Sequence, residues 1–263
     1  MSNFLKEIVE LRKKRLAIAK SKRSFDELKS SAIARRSDAK PHALRAALQN
    51  TNGINIIAEI KRASPSKGVI NDKIDVAETA KNYERGGACA ISVLTEEDKF
   101  KGSLDDLRTV RANVKLPVLR KDFIFDEFQI YETADAGADV ILLIVAMLDD
   151  KVLSKLYRLA EDDLKLDALV EVHTPEELQR AKAVGAKIIG VNNRDLQTFK
   201  VSLEVSRNLI KHAPPGALMI SESGLRTRED LIELKNLGAA GFLVGETLMR
   251  SGNVETILKE WTR

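Results

Sequence analysis

Side chains that can donate or accept protons follow several apolar runs of this sequence. In the run 54–60, INIIAEI, both faces are apolar until Glu59 and Lys61, which share one face because strand side chains alternate. Four other apolar runs each supply a polar side chain: Lys121 in LPVLRKDF, Glu171 in ALVEVH, Asn192 in IIGVNNRDL and Glu222 in LMISESG. Carboxylates and ammonium groups that converge can act as general acids and bases.

The same charges also admit a structural interpretation. Some of them could form ion pairs that fill the protein interior, or could point to solvent. However, buried charges are costly unless they are paired, and clusters of them mark functional sites. Two lysines and three glutamates at the ends of apolar runs therefore favour catalysis over a purely structural role.

Glycine and serine residues near the ends of other runs could bind a phosphate group. Ser223 and Gly224 follow LMISE, and Gly245 follows the apolar run GFLV, where it opens a short predicted helix. Backbone N–H groups at a glycine-flanked helix start can hold an anion. Ser64 and Ser66 in ASPSKG could add hydroxyl donors. A lone glycine could simply form a tight turn, but two occupy the usual phosphate position of an α/β barrel.

A repeated pattern indicates the elements that position these residues. The segments GGACAISV, AGADVILL, VGAKIIGV and LGAAGFLV recur at nearly equal intervals. Each follows a helical pattern, such as TPEELQRAKAVG. The glycine suits the left-handed position that ends a helix, and the apolar residues after it predict a buried strand.

Four more apolar runs lie between these segments, which gives eight predicted strands that alternate with helices. Strands that are apolar on both faces indicate a parallel sheet. Eight such units within 263 residues favour a closed (β/α)8 TIM barrel over an open doubly wound sheet. No G-x-G-x-x-G motif follows the first strand, as a dinucleotide fold would require. Because active sites lie where barrel strands end, the charged residues should meet at one rim.

The predicted domain organisation is a single α/β barrel domain over residues 1–263. Residues 1–50 precede the first strand as a helical extension, which we expect to cover one mouth of the barrel. The segment FLKEIVELRKKRLAIAK has an apolar stripe at helical spacing, and its basic run favours a solvated face over a nucleic-acid patch. A second helix is predicted to start at Ser24, with Asp26 and Glu27 in its first turn.

Composition and termini exclude several classes of protein. A net charge of +4 is a weak basic bias, which can attract anionic small molecules but does not indicate nucleic-acid binding. Cys89 is the single cysteine, lies in an apolar run and excludes an internal disulfide. The sequence has no signal-peptide pattern and no apolar run of the ~20 residues that span a bilayer. We therefore predict a cytoplasmic protein without a membrane partner.

Other catalytic chemistries find little support. His42, His173 and His212 lie in separate segments without the spacing of metal ligands, so no metal site is predicted. His173 precedes a predicted helix start at Thr174 and Pro175, which favours a loop residue or one that supports the site. No nucleophile elbow, Walker loop or redox cysteine pair occurs.

Six ordered blocks surround the polar residues described above. They are AEIKRASPSKG, LRKDFIFDEFQIYE, VEVHTPEEL, GVNNRDL, SESGL and VGETLMR. Together with SVLTEEDKFKGS after the second strand, they resemble the signature blocks of the indole-3-glycerol-phosphate synthase family. The resemblance covers nearly the whole chain, and we expect no fused phosphoribosylanthranilate isomerase barrel of the kind found in some members.

The resemblance implies a substrate and a reaction. The substrate would be 1-(2-carboxyphenylamino)-1-deoxyribulose 5-phosphate, which the family converts to indole-3-glycerol phosphate, CO₂ and water in tryptophan biosynthesis without a cofactor. By analogy Lys121 would be the general acid of ring closure, and Lys61 would bind the substrate carboxylate. Glu59 and Glu171 would be acid/base carboxylates, with their shares of the dehydration left open among themselves and Lys61. The analogy also assigns residues that position the intermediate, namely Asn192 and Glu222.

The resemblance further implies residues that bind the rest of the substrate. Arg194 would hold the anionic substrate, and three residues would line the aromatic pocket: Phe100, Phe123 and Leu196. The phosphate site would comprise Ser64, Ser223, Gly224, Gly245 and Glu246. Glu246 would act there through its backbone N–H, with its side chain turned away.

Two alternatives use the same features. Another sugar-phosphate barrel, such as an Amadori isomerase, could share the phosphate loops but would not require this set of lysines and glutamates. A non-catalytic phosphate-binding barrel is disfavoured by the intact set of charged rim residues. The expected partner is an anionic small molecule, with no nucleic acid, and the expected assembly is a monomer.

Overall fold

Eight parallel strands close into a barrel in the computed structural model, which describes residues 2–49 and 52–263. Each strand pairs with the next one along the chain, and the eighth pairs with the first. The strands are β1 (Ile56–Ile60), β2 (Ala90–Leu94), β3 (Val118–Lys121), β4 (Val140–Ile144), β5 (Asp167–Val172), β6 (Ile188–Asn192), β7 (Leu218–Glu222) and β8 (Ala239–Val244). The predicted (β/α)8 fold is confirmed.

Alternation of side chains divides the core into two layers. Ile57, Leu119, Leu169 and Ile220 belong to the inner layer that fills the barrel. Their strand neighbours pack in an outer layer between the strands and the helices. Because β1 keeps this alternation to its end, Glu59 shares a face with Ile57, as predicted, and the structure shows this face to be the inner one.

A helix follows each strand, as the repeated pattern predicted. The helices after the strands are α4 (Val76–Arg85), α5 (Leu104–Asn113), α6 (Glu127–Asp135), α7 (Asp150–Arg158), α8 (Pro175–Ala183), α9 (Glu204–Leu209), α10 (Arg228–Asn236), α11 (Glu246–Met249) and α12 (Val254–Trp261). Thr174 caps α8 by accepting a hydrogen bond from the backbone N–H of Glu177. The glycine that directly precedes the alanine in each repeated segment ends a helix with a φ value between +79° and +109°; these are Gly87, Gly137, Gly185 and Gly238.

Among the described residues, three helices precede the barrel: α1 (Asn3–Lys22), α2 (Phe25–Ser37) and α3 (Ala43–Leu48). The predicted start of α2 is confirmed, because Ser24 and Glu27 form a reciprocal capping box there. Helix α1 reaches the carboxyl-terminal rim of the barrel, where Phe4 lines a cavity. Helix α3 lies at the opposite end, where the backbone N–H of Arg45 donates to Asp167 at the start of β5. The extension therefore contacts both ends of the barrel, and its predicted boundary at residue 50 lies outside the described residues.

Two smaller features lie in the loop after β1 and in the core. Residues Ala63–Ser64 pair antiparallel with Gly68–Val69 in the loop after β1. Cys89 packs against the inner core layer, and burial raises the pKa of its thiol to about 12. Across the described ranges, none of the helices combines the length and the apolar character needed to cross a membrane.

Candidate functional site

The predicted site residues all line one cavity of about 930 Å³ at the carboxyl-terminal ends of the strands. This volume suits a small-molecule site. The residues are Glu59, Lys61, Ser64, Phe100, Lys121, Phe123, Glu171, Asn192, Arg194, Leu196, Glu222, Ser223, Gly224, Gly245 and Glu246. Residues that are far apart in the sequence thus surround a single space.

Glu59 and Lys61 form an ion pair on one wall of the cavity. Lys61 Nζ donates to Glu59 Oε1 at 2.6 Å. Gly245 lies directly against this pair, because a Cβ atom at that position would overlap Glu59 Oε1 and would lie 2.9 Å from Lys61 Nζ. The absence of a side chain at position 245 therefore leaves room for the ion pair as well as for an anion.

A second cluster surrounds Lys121. Lys121 Nζ donates to Glu171 Oε2 at 2.8 Å and lies 3.4 Å from Glu222 Oε2. Asn192 Nδ2 donates to the other oxygen of Glu171, Oε1, at 3.1 Å. Since these side chains come from β3, β5, β6 and β7, closure of the barrel is what brings the cluster together.

The surroundings shift the pKa values of Glu171 and Glu222 in opposite directions. Burial alone would raise the pKa of Glu171, but the charges of Lys121 and His173 hold it below its usual value. Burial raises the pKa of Glu222 to about 8, with repulsion from Glu171 and Glu59 adding to the shift and Lys121 opposing it. Carboxyl groups with divergent pKa values are typical of acid–base sites.

Nearby carboxylates also shift the pKa of the Lys121 ammonium. Burial lowers its pKa, but the charges of Glu171, Glu222 and Glu59 outweigh burial and raise it. Lys121 is therefore charged, and it releases its proton only to a strong base such as a developing alkoxide.

Gly190 is a site-supporting residue that the sequence analysis missed. It lies within β6, where a Cβ atom would overlap Glu222 Oε1. A glycine inside a strand can mark close approach by another group, so a signal was present in IIGVN. The identity of the approaching group was not readable, because Glu222 comes from the next strand.

Arg194 is fixed at the edge of the cavity. Its backbone N–H donates to Asn192 Oδ1 at 3.0 Å, and its Nη1 donates to Ser66 Oγ at 3.1 Å and to the carbonyl oxygen of Phe199 at 3.2 Å. These bonds join the loop after β1 to the loop after β6. The guanidinium thus adds a positive charge beside the cavity.

Backbone conformation distinguishes the loop after β7. Ser223 and Gly224 have φ values of 67° and 83°, and the first is uncommon for a residue other than glycine. Gly245 immediately precedes α11, as predicted. The carboxylate of Glu246 lies 3.3 Å from Arg250 Nε and 3.7 Å from Lys67 Nζ.

An aromatic wall closes another side of the cavity. Phe123 packs against Phe100 and Phe4 with ring centroids 6.1 Å apart in both pairs, and Phe4 lies 5.2 Å from Phe199. Phe4 and Phe199 were not predicted to belong to the site. Phe4 was assigned only to the apolar stripe of α1, and no local pattern showed that this helix reaches the rim.

His173 contacts the site without bordering the cavity. Its Nε2 lies 3.5 Å from Glu171 Oε1, and its Nδ1 lies 3.2 Å from Glu177 Oε2. Burial lowers the pKa of His173, but the hydrogen bond to Glu177 and the charges of both glutamates raise it overall.

A separate group of possible metal ligands lies at the opposite end of the barrel. His42 Nδ1 lies 3.4 Å from Glu161 Oε2 and 3.6 Å from Asp167 Oδ1. Arg45 Nη2 contacts Glu161 and lies 3.3 Å from Asp167 Oδ1, so a guanidinium already supplies positive charge there. The histidine spacing gave no indication of this group, which forms only when α3 packs against β5.

Comparison with known proteins gives a consistent result. Residues 5–261 match the family model described as indole-3-glycerol phosphate synthase. A protein of that name from Carboxydothermus hydrogenoformans is 46% identical over 254 residues, which cover 94% of this chain and 95% of the relative. One from Aquifex aeolicus is 53% identical over 210 residues, covering 79% of this chain and 81% of the relative.

Solved structures with low sequence similarity share the fold. Thiamine phosphate pyrophosphorylase from Pyrococcus furiosus superposes with a TM-score of 0.61 at 18% identity, covering 83% of this chain and 95% of that one. The N-acetylmannosamine-6-phosphate 2-epimerase from Clostridium perfringens gives the same TM-score at 17% identity, with 80% and 92% covered.

Proposed function

This chain belongs to the indole-3-glycerol phosphate synthase family, and on that premise we propose that its cavity closes the indole ring of 1-(2-carboxyphenylamino)-1-deoxyribulose 5-phosphate. The products are indole-3-glycerol phosphate, CO₂ and water, and the enzyme is a carboxy-lyase of tryptophan biosynthesis. The observation that carries the proposal is the contact of Lys121 with Glu171 and Glu222 in a cavity also lined by Glu59 and Lys61.

Lys121 is the general acid of ring closure. The ring carbon that bears the carboxylate attacks the ribulose ketone, and the ketone oxygen gains negative charge as the C–C bond forms. A charged ammonium at that oxygen stabilises it and then protonates it. The raised pKa of Lys121 suits this role, because the proton stays on nitrogen until an alkoxide develops.

Decarboxylation and dehydration follow. Loss of CO₂ leaves the bonding electron pair in the ring, and departure of hydroxide needs an acid while removal of a C–H proton needs a base. Lys61 binds the substrate carboxylate beside Glu59, and the acid and base of the dehydration come from Lys61, Glu59 and Glu171. Asn192 positions the intermediate through its contact with Glu171.

Residues on the other walls of the cavity bind different parts of the substrate. Glu222 contacts Lys121 and positions the intermediate together with Asn192. Arg194 attracts the anionic substrate. The aromatic pocket consists of Phe100, Phe123 and Leu196. The phosphate site consists of Ser64, Ser223, Gly224 and Gly245 with the backbone of Glu246, whose carboxylate pairs with Arg250 and Lys67.

The direct test is turnover of the proposed substrate. Purified protein is incubated with the carboxyphenylamino substrate, and product is followed by indole fluorescence. We expect conversion without an added cofactor. An absence of product would overturn the proposal, and turnover of an Amadori isomerase substrate instead would support the alternative barrel enzyme. A cytoplasmic location and a monomeric state remain predictions, which fractionation and sedimentation would test.

A further inference from the structure

A chain of titratable side chains leads from helix α8 to Glu171. His173 Nδ1 lies 3.2 Å from Glu177 Oε2, and His173 Nε2 lies 3.5 Å from Glu171 Oε1. Glu171 then contacts Lys121 Nζ at 2.8 Å. Side-chain exposure falls along this chain from 17% for Glu177 and 13% for His173 to 2% for Glu171. The chain therefore connects the protein exterior with a buried carboxylate.

The side chains of Glu177 and His173 approach Glu171 from outside the cavity. Glu171 and Lys121 line the cavity, whereas His173 and Glu177 are not among its lining residues. A substrate seated in the cavity would separate Lys121 and Glu171 from solvent at its mouth. A route for protons from solvent through His173 to Glu171 would remain, because it does not pass through the substrate-binding space.

The proposed reaction consumes a proton in every turnover. Ring closure uses one proton on the ketone oxygen, and decarboxylation leaves its electron pair in the ring. Dehydration uses a second proton to release hydroxide as water and returns one from the ring carbon next to nitrogen. With the substrate carboxylate ionised, one proton must therefore enter the site for each product molecule.

We propose that His173 is a positioning residue that passes solvent protons to Glu171 and thereby restores the protonated state of the Glu171–Lys121 pair. This inference rests on the proposed function. The imidazolium releases its Nε2 proton to Glu171 Oε1, so that an N–H bond breaks and an O–H bond forms. The neutral imidazole keeps its proton on Nδ1, and water that reaches Nε2 when the partly exposed ring moves supplies the proton that restores the imidazolium. No electrons are transferred.

Glu177 holds the ring in the required orientation. Its Oε2 accepts the backbone N–H of His173 at 2.7 Å and also contacts the ring Nδ1, which leaves Nε2 directed at Glu171. Nε2 has no hydrogen-bond partner among the described residues. A purely structural histidine would be expected to satisfy both ring nitrogens, whereas the unbonded Nε2 of this one lies 3.5 Å from a carboxylate oxygen.

The surrounding charges favour the imidazolium. Glu177 on α8, Glu171 on β5 and Glu222 on β7 oppose the effect of burial and raise the pKa of His173. Hydrogen bonds from the backbone N–H groups of Thr198 and Gln197 chiefly lower the pKa of Asp195 in the loop after β6, and the charge of His173 adds a smaller part. Carboxylates from several elements thus favour the protonated ring.

The first test compares His173→Asn with His212→Asn, which makes the same change at an exposed histidine. We expect His173→Asn to lower kcat about tenfold, less than the ~10²–10⁴-fold cost of losing a general acid. KM should stay near the wild-type value, and the solvent deuterium isotope effect on kcat should increase. Added imidazole buffer should raise kcat of this variant only. Wild-type kcat and isotope effect in His173→Asn would overturn the inference.

The second test uses Glu177→Gln, which preserves shape but removes one charge that faces His173. The pKa of His173 should fall, so the decline of kcat with rising pH should begin at lower pH than in the wild type. An unchanged profile would contradict the inference, and this variant decides the question if His173→Asn does not fold. Failure of the wild-type protein to convert the substrate would instead overturn the proposed function.

Discussion

Lys121 Nζ lies 2.8 Å from Glu171 Oε2, although the two residues are 50 positions apart and occupy strands separated by β4. Glu222 Oε2 lies 3.4 Å from the same ammonium. The interaction is maintained inside the barrel, where charged groups attract more strongly than in water. A single ammonium is thus held between two carboxylates, one with a lowered pKa and one with a raised pKa.

Replacing Lys121 should abolish most turnover without preventing binding. In Lys121→Ala we expect kcat to fall by ~10²–10⁴-fold, because a positioned acid is lost, while KM changes little. Steady-state kinetics measure both constants. Lys151→Ala serves as the control, since Lys151 is exposed on α7. If Lys121→Ala keeps most of its turnover, the acid has been assigned to the wrong lysine.

Gly245 should tolerate no side chain. In Gly245→Val the first added carbon would overlap Glu59 Oε1, so the variant should both raise KM for the phosphorylated substrate and lower kcat by displacing the ion pair. Gly252→Val is a matched control, because a Cβ atom there meets nothing within 4 Å. Equal losses in the two variants, measured by kinetics and thermal melting, would indicate a general folding defect.

The sequence predicted the barrel and its rim because both depend on local patterns. Alternation alone put Glu59 and Lys61 on the same face as Ile57, and the repeated glycines marked where helices end. The identities of rim residues such as Lys121 then followed from the rule that barrel sites lie at strand ends.

The missed features depend on contacts between distant segments. Phe4 reaches the aromatic wall only because α1 packs across the rim. A glycine is needed at position 190 only because the carboxylate of Glu222 lies against β6 there. The contact of His173 with Glu171 also needs the side-chain directions at the end of β5. No local periodicity encodes these distances, so they require the folded structure.

Glu222 should make stability depend on pH. Burial raises its pKa to about 8, above the ~4.3 of an unfolded chain, so the stability linked to its protonated form is full below ~4.3 and declines as pH rises to about 8. Glu222→Gln should lose that decline and gain free energy of unfolding relative to the wild type between pH 5 and 9. Denaturant titrations at several pH values measure it. Glu260→Gln, at an exposed site, should follow the wild type.

Arg12 should anchor α1 to the barrel. Its guanidinium bonds Asp122 Oδ2 at 3.0 Å and Glu97 Oε2 at 2.6 Å, and Asp122 is fully buried beside Lys121. Arg12→Met should cost about 3 kcal/mol, the lower end of the ~3–5 kcal/mol for breaking a buried pair, because Arg120 still contacts Asp122. Arg15→Met removes an exposed pair and should cost under ~1 kcal/mol. Similar losses in the two variants would argue against the anchor.

The pair of Glu59 and Lys61 should be catalytic rather than structural. Lys61 Nζ lies 2.6 Å from Glu59 Oε1, which is compatible with an ion pair that merely fills the barrel. In that case Glu59→Gln would leave a buried ammonium unpaired and cost roughly 3–5 kcal/mol. Both side chains, however, border the cavity, where water or substrate can replace the lost partner.

We therefore expect Glu59→Gln and Lys61→Met to lose activity by orders of magnitude while Tm changes little or rises, as happens when a strained site is relaxed. Thermal melts run beside turnover assays separate the two roles, with Lys13→Met as a control at an exposed ion pair on α1. A large drop in Tm together with near-normal turnover would show that the pair is structural. Loss of turnover at an unchanged Tm would place both groups in the chemistry, since neither variant would then act through the fold.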